Sequence, residues 1–321
     1  MSKFFSELAP ALDAMLDYRE ALGFSRTSHM PSLINFDFYC AKYYPGNDSI
    51  TKEMVLNWIN RELDKPQSNI SSKASAVRVF GKYLAAIGKE AYILPSGYVS
   101  RKTISKPHIF NDSELSALFA AADNLHSNEN DAIIAPVLFR MIYTCGLRPN
   151  EGRELERDNI NLSNGELFIT KTKRKKERIV VMSDDMLSMC IKYNEIQKTR
   201  GIDSIFFFPD QDGNAYPEQK LDRLFKRCWS LANPSISTSN LPNVRTYDLR
   251  HRFASAILNR WLDEGRDLYV MLPYLREYMG HLNMSETAHY IHILPENLVK
   301  SSGIDWSSFE AIVPEVDLWQ E

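Results

Sequence analysis

The stretch Leu167-Phe-Ile-Thr-Lys171-Thr-Lys173-Arg174-Lys175-Lys176-Glu-Arg178-Ile-Val-Val-Met182 decides the fold class. Two short runs of β-branched and aromatic residues, Leu167–Ile169 and Arg178–Met182, flank a polar loop and read as an antiparallel hairpin. The loop is strongly basic: between Lys171 and Arg178 stand six basic residues and one acid. Such a run is most often a solvated face, although a cationic β-turn is also a good finger for a phosphate backbone.

Outward from this hairpin the apolar spacing is helical on both sides. On the C-terminal side it predicts helices over 184–199, 217–231, 246–262, 267–279 and 285–293. On the N-terminal side, Asp112 or Ser113 caps a helix over Glu114–Ala122, and Ile133, Ile134, Val137, Leu138, Met141 and Ile142 mark a deeply buried helix that ends at Gly146. The first ninety residues contain four more helical stretches: one through Phe5, Leu8, Leu12 and Leu16 to Gly23, one over Leu33–Tyr44, one starting near Thr51 with Val55, Trp58 and Ile59, and one over Ser71–Ile87. The expected architecture is mainly α with a small β-sheet. It comprises a helical bundle over 1–94, a linker of Pro, Gly and basic residues over 95–107, a mixed α/β domain over 108–302 and an acidic tail over 303–321.

A chain of 321 residues fits about two domains of roughly 150 residues each. With 44% hydrophobic and 25% charged residues, it is neither mainly disordered nor collagen-like. No apolar run reaches the roughly 18 residues of a membrane span, and Met1-Ser-Lys-Phe-Phe-Ser-Glu7 has no signal-peptide core. The four cysteines, Cys40, Cys145, Cys190 and Cys228, are scattered and read as reduced thiols, so a cytoplasmic location is expected. The net charge of −3 argues against a bulk nucleic-acid binder, but the charge is uneven. Residues 1–106 carry 14 Lys and Arg against 10 Asp and Glu, whereas residues 296–321 carry one against six. Local field matters more than the total for steering a polyanion.

Four places in the second domain carry polar residues that an ordinary core does not need. In Gly146-Leu-Arg148-Pro-Asn-Glu151, a glycine closes one helix and a proline suits the first turn of the next, so Arg148 sits at a rigid junction. The basic hairpin loop is the second. In Thr246-Tyr247-Asp-Leu-Arg250-His251, Thr246 is placed to cap the helix and Tyr247 and Arg250 share a face. In Gly280-His281-Leu-Asn-Met-Ser-Glu-Thr-Ala-His-Tyr290-Ile-His292, His281 follows one helix, Ser285 can open the next and Tyr290 lies inside it. Taken singly, each has a plain structural reading: a surface arginine, a solvated charge run, a core tyrosine. His289 and His292 lack a third ligand at suitable spacing, so no metal is expected.

Together they supply what strand cleavage at a phosphodiester needs without a metal. Arginines bind non-bridging oxygens and stabilise the charge of a pentavalent transition state. A tyrosine hydroxyl attacks phosphorus, and a lysine protonates the leaving oxygen.

In this order the residues resemble the tyrosine site-specific recombinases, the phage integrase family. GLRPNE is similar to that family's first arginine box, TYDLRHRFAS to its HxLRH box, MGHLNMSETAHYIH to its GHxxxxxTxxY box, and TKTKRKKERIVVMS to its lysine hairpin. The resemblance covers about residues 108–295, and the N-terminal bundle looks like the family's core-binding domain. It implies Arg148, Lys173, Tyr247, Arg250, His281 and Tyr290 as catalytic residues, with Glu151 in support. It implies DNA contacts from Arg101 and Lys102 in the linker and from Lys171, Arg174, Lys175 and Lys176 in the hairpin. Lys171 is the alternative to Lys173 as the lysine.

Tyr247 stands where the family carries a histidine and cannot act as an imidazole base. The resemblance further implies a 3′-phosphotyrosyl intermediate, no cofactor, double-stranded DNA sites as partners, a tetramer on DNA and a nucleoid-associated location. The residues also leave open a type IB topoisomerase, a DNA-binding regulator without catalysis, and a helical interaction protein with no nucleic acid. The tail, with Trp306, Phe309, Ile312, Val313, Val316 and Leu318 among acids, reads either as packing on its own domain or as a docking arm to a neighbouring subunit.

Overall fold

A computed structural model describes residues 3–61, 67–99, 107–170 and 177–288. The chain divides into two compact units, Met1–Ser105 and Lys106–Glu321. Among the described residues no helix is long and apolar enough to cross a membrane.

The first unit is built from α1 (Ala9–Ala21), α2 (Met30–Tyr43), α3 (Lys52–Asn60) and α4 (Gln67–Ala86). Leu8, Leu12, Leu16, Leu33, Phe36, Trp58, Phe80 and Leu84 form its buried core. Phe36 and Trp58 meet edge to face, with ring centroids 4.9 Å apart. Two side chains fix helix starts. Thr51 accepts from the amide of Met54 at 3.2 Å and caps α3. The buried Asp37 of α2 accepts from the amides of Phe5 and Ser6 and from the Ser6 hydroxyl, pinning the segment that leads into α1.

The second unit holds α5 (Asp112–Asp123), α6 (Glu129–Thr144), α7 (Pro149–Arg153), β1 (Ile160–Asn161), β2 (Glu166–Ile169), β3 (Arg178–Val181), α8 (Asp184–Arg200), α9 (Glu218–Ala232), α10 (Asp248–Asp263), α11 (Leu268–Met279) and α12 (Met284–Ala288). The largely apolar α6 runs through its centre and packs against α5, α8 and α10. A smaller cluster of Ala254, Leu258, Leu268, Leu272, Leu275 and Met279 joins α10 to α11.

The hairpin is antiparallel, with Leu167 opposite Val180 and Ile169 opposite Arg178. The sheet has a third strand that alternation does not reveal: β1 is two residues long and pairs Ile160 with Leu167. Two helix caps differ from expectation. Asn111, not Asp112 or Ser113, caps α5, because its side chain accepts from Glu114 N while Glu114 accepts from Asn111 N, both at 2.9 Å. Thr246 does not cap α10: its hydroxyl is buried and donates to Asp222 at 2.9 Å, while Asp248 accepts from the amide of Arg245. The helix expected from Ser285 begins one residue earlier, at Met284, and residues 289–293 of that expectation lie outside the described residues.

Candidate active site

The site is built around Glu151, in the first turn of α7. Gly146 closes α6 with φ +60°, and only an α-hydrogen fits on its Cα towards Phe253: a Cβ would lie 2.5 Å from that ring. Arg148 is the N-cap residue of α7, and Pro149 fixes the first helical turn. This geometry turns Glu151 inward. Its Oε2 accepts from the Arg148 amide at 2.9 Å, and its Oε1 accepts from Arg148 Nη1 at 2.7 Å.

A second guanidinium meets the same carboxylate from the sheet. Arg178, the first residue of β3, donates from Nη1 to Oε1 at 2.9 Å and from Nη2 to Oε2 at 2.7 Å. This is the bidentate fork that a carboxylate best accepts. A third, Arg250 of α10, brings Nη1 to 3.9 Å from Oε2. Glu151 is buried with Arg178 and Arg250; the desolvation this brings would raise its pKa, but the hydrogen bonds and charge of Arg178, then the charge of Arg250 and the Arg148 amide, outweigh it and hold the pKa down at about 2. Three guanidiniums around one carboxylate leave an excess of two positive charges in a partly buried place.

The arginines are positioned by backbone carbonyls from distant motifs. Arg250 is completely buried; it donates to Gly146 O at 2.6 Å and to Met279 O at 2.5 Å. Arg148 donates to Gly280 O at 3.0 Å and keeps about a quarter of its side chain exposed. Gly280 caps α11 in the left-handed region at φ +64°, which turns the chain so that His281 faces inward. Arg250 Nη2 lies 3.0 Å from His281 Nε2, and His281 Nδ1 lies 2.9 Å from the Thr287 hydroxyl. Arginine only donates, so Nε2 accepts and Nδ1 carries the proton. Burial, reinforced by Arg250, Arg148 and Arg178, pushes the His281 pKa down to about 3, so the ring is neutral.

The structure thus brings together Arg148, Glu151, Arg250 and His281. Tyr247 is half-buried just ahead of α10, with its ring edge-on to His251 at 5.1 Å. Lys173 and Tyr290 lie outside the described residues, as do Lys171, Arg174, Lys175, Lys176, Arg101 and Lys102 and the tail over 303–321. Two members of the cluster were not anticipated. Arg178 stands inside the quoted hairpin but reads there as an ordinary strand residue. Thr287 stands in the last motif without a role that spacing alone reveals.

The sequence profile described as the phage integrase family matches residues 109–297. The chain belongs to the phage integrase family. Among relatives of this integrase-family chain, the Sinorhizobium fredii protein y4rB is 28% identical over 304 residues, covering 91% of this chain and 94% of its own length. The tyrosine recombinase XerD of Rickettsia bellii is 25% identical over 304 residues, covering 90% of this chain and 95% of its own. The fold is similar to that of the XerH site-specific recombinase bound to palindromic difH substrate in a post-cleavage complex. That match has a TM-score of 0.63 at 18% identity, over 88% of this chain and 80% of that one. These likenesses place the chain among tyrosine recombinases, a DNA-acting family of mostly helical fold with a small sheet.

Proposed function

We propose that this protein cuts and rejoins DNA at specific sites through a 3′-phosphotyrosyl intermediate, using neither metal nor ATP. The Tyr290 hydroxyl loses its proton to solvent and its oxygen attacks phosphorus at the scissile phosphate. The bond from phosphorus to the 5′-oxygen breaks, Lys173 gives that oxygen its proton, and a 5′-hydroxyl leaves. Attack by a 5′-hydroxyl from a second duplex reverses the step and frees the tyrosine, so the bond energy is kept throughout.

One observation carries this reading: Arg148 and Arg250, far apart in sequence, converge on the carboxylate of Glu151 with positive charge to spare. The pentavalent transition state of a phosphodiester bears two negative charges, which this excess matches. Arg148, partly open to solvent, makes the first contact with the phosphate; Arg250 joins by exchanging a carbonyl partner for a phosphate oxygen. Once Arg250 turns to the phosphate, the neutral His281 completes the cradle in its other tautomer, donating from Nε2 to a phosphate oxygen while Nδ1 accepts from the Thr287 hydroxyl, and Tyr247 adds a hydroxyl at the cradle's edge. The first unit serves as the core-binding domain, and the basic loop and linker track the DNA backbone. Exchange between two duplexes calls for a tetramer on DNA, and the action is in the cytoplasm, at the nucleoid. Integration or excision of a mobile element fits this chemistry.

The test is covalent capture. The full chain is incubated with sheared genomic DNA of its source, denatured in SDS, and the protein-linked DNA is sequenced. Adducts at one recurrent sequence, linked through Tyr290 and abolished in Tyr290→Phe without loss of DNA binding, are expected. Absence of any adduct, or an adduct persisting in Tyr290→Phe, overturns the reading. Relaxation of any supercoiled plasmid without a site preference would make the protein a topoisomerase instead.

A further inference from the structure

Arg178 touches three parts of the second unit at once. As the first residue of β3 it forms the last rung of the hairpin ladder, opposite Ile169, where the chain emerges from the basic loop. Its Nη1 and Nη2 take both oxygens of Glu151, and its Nε donates to Tyr278 O at 2.8 Å near the end of α11. Gly280 packs directly on it: a Cβ at that position would lie 3.1 Å from Arg178 Nη1. The side chain is buried and its donors point into the protein. It is therefore not placed to touch DNA.

Its effect on charge is larger than its effect on shape. Were Glu151 left to Arg148 and Arg250 alone, one of their two positive charges would be cancelled by the carboxylate. With Arg178 present, Glu151 is matched by a partner that plays no part in phosphate binding. The hydrogen bonds are also divided. Arg178 occupies both carboxylate oxygens, and Arg148 needs only one of them for its side chain, so its Nη2 reaches Gly280 O.

Resting on the reading of the site as a phosphotransfer centre, we propose that Arg178 is a positioning residue that neutralises Glu151 and so reserves the charges of Arg148 and Arg250 for the transferred phosphate. Lysine cannot replace it in full, because an ammonium does not fork onto two oxygens and has no equivalent of Nε for Tyr278 O.

The experiment uses a DNA fragment recovered by covalent capture with the unmodified protein, and measures single-turnover adduct formation and DNA affinity separately. Arg178→Met is expected to slow adduct formation by about 100-fold, the scale of one lost transition-state charge partner, with DNA affinity within about threefold. The decisive variant is Arg178→Met combined with Glu151→Gln. It removes the carboxylate that Arg178 offsets, and should be at least about tenfold faster than Arg178→Met alone, a coupling that a pair acting through each other shows. A purely structural role predicts the opposite, since the double variant loses more packing and hydrogen bonds. Should Arg178→Met not fold, Arg178→Gln, which keeps a donor but no charge, is compared in the same way with and without Glu151→Gln. A folded Arg178→Met or Arg178→Gln that cleaves at the rate of the unmodified protein overturns the proposal, as does a double variant no faster than the single one. If the unmodified protein itself forms no adduct, the proposed function fails, and not the role of Arg178 within it.

Discussion

Arg250 Nη2 donates to His281 Nε2 at 3.0 Å, and both side chains are buried. The contact is compatible only with a neutral imidazole, since a protonated ring would set two cationic donors against each other. With the folded pKa near 3 and the ordinary value at 6.5, the unfolded chain binds the proton first as pH falls. Stability from this group is therefore complete above pH 6.5 and declines from there towards pH 3. Glu151, held at about 2 against an ordinary 4.5, adds a second decline of the same sign between pH 4.5 and 2. Melting temperatures measured against pH should fall already between pH 6.5 and 5, and His281→Asn should flatten that upper part of the curve while leaving the lower one. An unchanged curve in the variant would mean that His281 is not held neutral. For the same reason, adduct formation between pH 6 and 8 should show no titration belonging to His281.

Arg148 and Arg250 should separate when catalysis and stability are measured together. Either change to alanine should slow adduct formation by about 3 kcal/mol of barrier or more, as loss of a preorganised charge partner does. Arg250→Ala also strips donors from Gly146 O, Met279 O and His281 in a fully buried place. It should cost about 3–5 kcal/mol in denaturant melts, the range for breaking a buried charged contact. Arg148, partly exposed, should cost markedly less. Equal stability losses would contradict the burial difference.

Lys173→Ala should fail at protonation of the leaving oxygen. A substrate with sulfur at the 5′-bridging position needs little proton help and should restore its cleavage selectively. Rescue of Lys171→Ala in place of Lys173→Ala would move the general acid two residues along the loop.

Gly146→Ala tests the junction between α6 and α7. The new methyl group would collide with Phe253, and the residue would be held at φ +60°. A loss of roughly 1–3 kcal/mol is expected from the backbone alone, with further loss from the ring contact. Because Gly146 O holds Arg250, adduct formation should drop as well, although residue 146 itself carries no chemistry.

The helices were legible in the sequence because their apolar faces are long and regular: the stripe from Ile133 to Ile142 predicts α6 to within a few residues at its start and at its glycine stop. The hairpin was legible for the same reason. Strand β1 was not, since two residues cannot show a period, and Asn111 lost to its neighbours because Asn, Asp and Ser all qualify as caps until the backbone angles choose. Within the site, Arg148, Glu151, Arg250 and His281 stand in recognisable motifs. Arg178 was hidden because β3 reads as a strand whatever its first residue is, and only folding reveals that this end of it meets α7. The exchange of partners was equally hidden: the glycine beside Arg148 serves Arg250, and the glycine beside His281 serves Arg148.

That exchange sets an order in time. A chain still being synthesised has Arg148 and Glu151 long before it has Gly280, 132 residues further from Arg148. Contacts of such sequence separation close late, because the loop entropy between them must be met first. Until Gly280 and His281 arrive, Arg148 lacks its carbonyl and Arg250 lacks its imidazole. A nascent or truncated protein can therefore fold its core around α6 yet leave the cluster of Arg148, Glu151, Arg250 and His281 unassembled, and under the proposed function such an unfinished chain is expected not to nick the genome that encodes it.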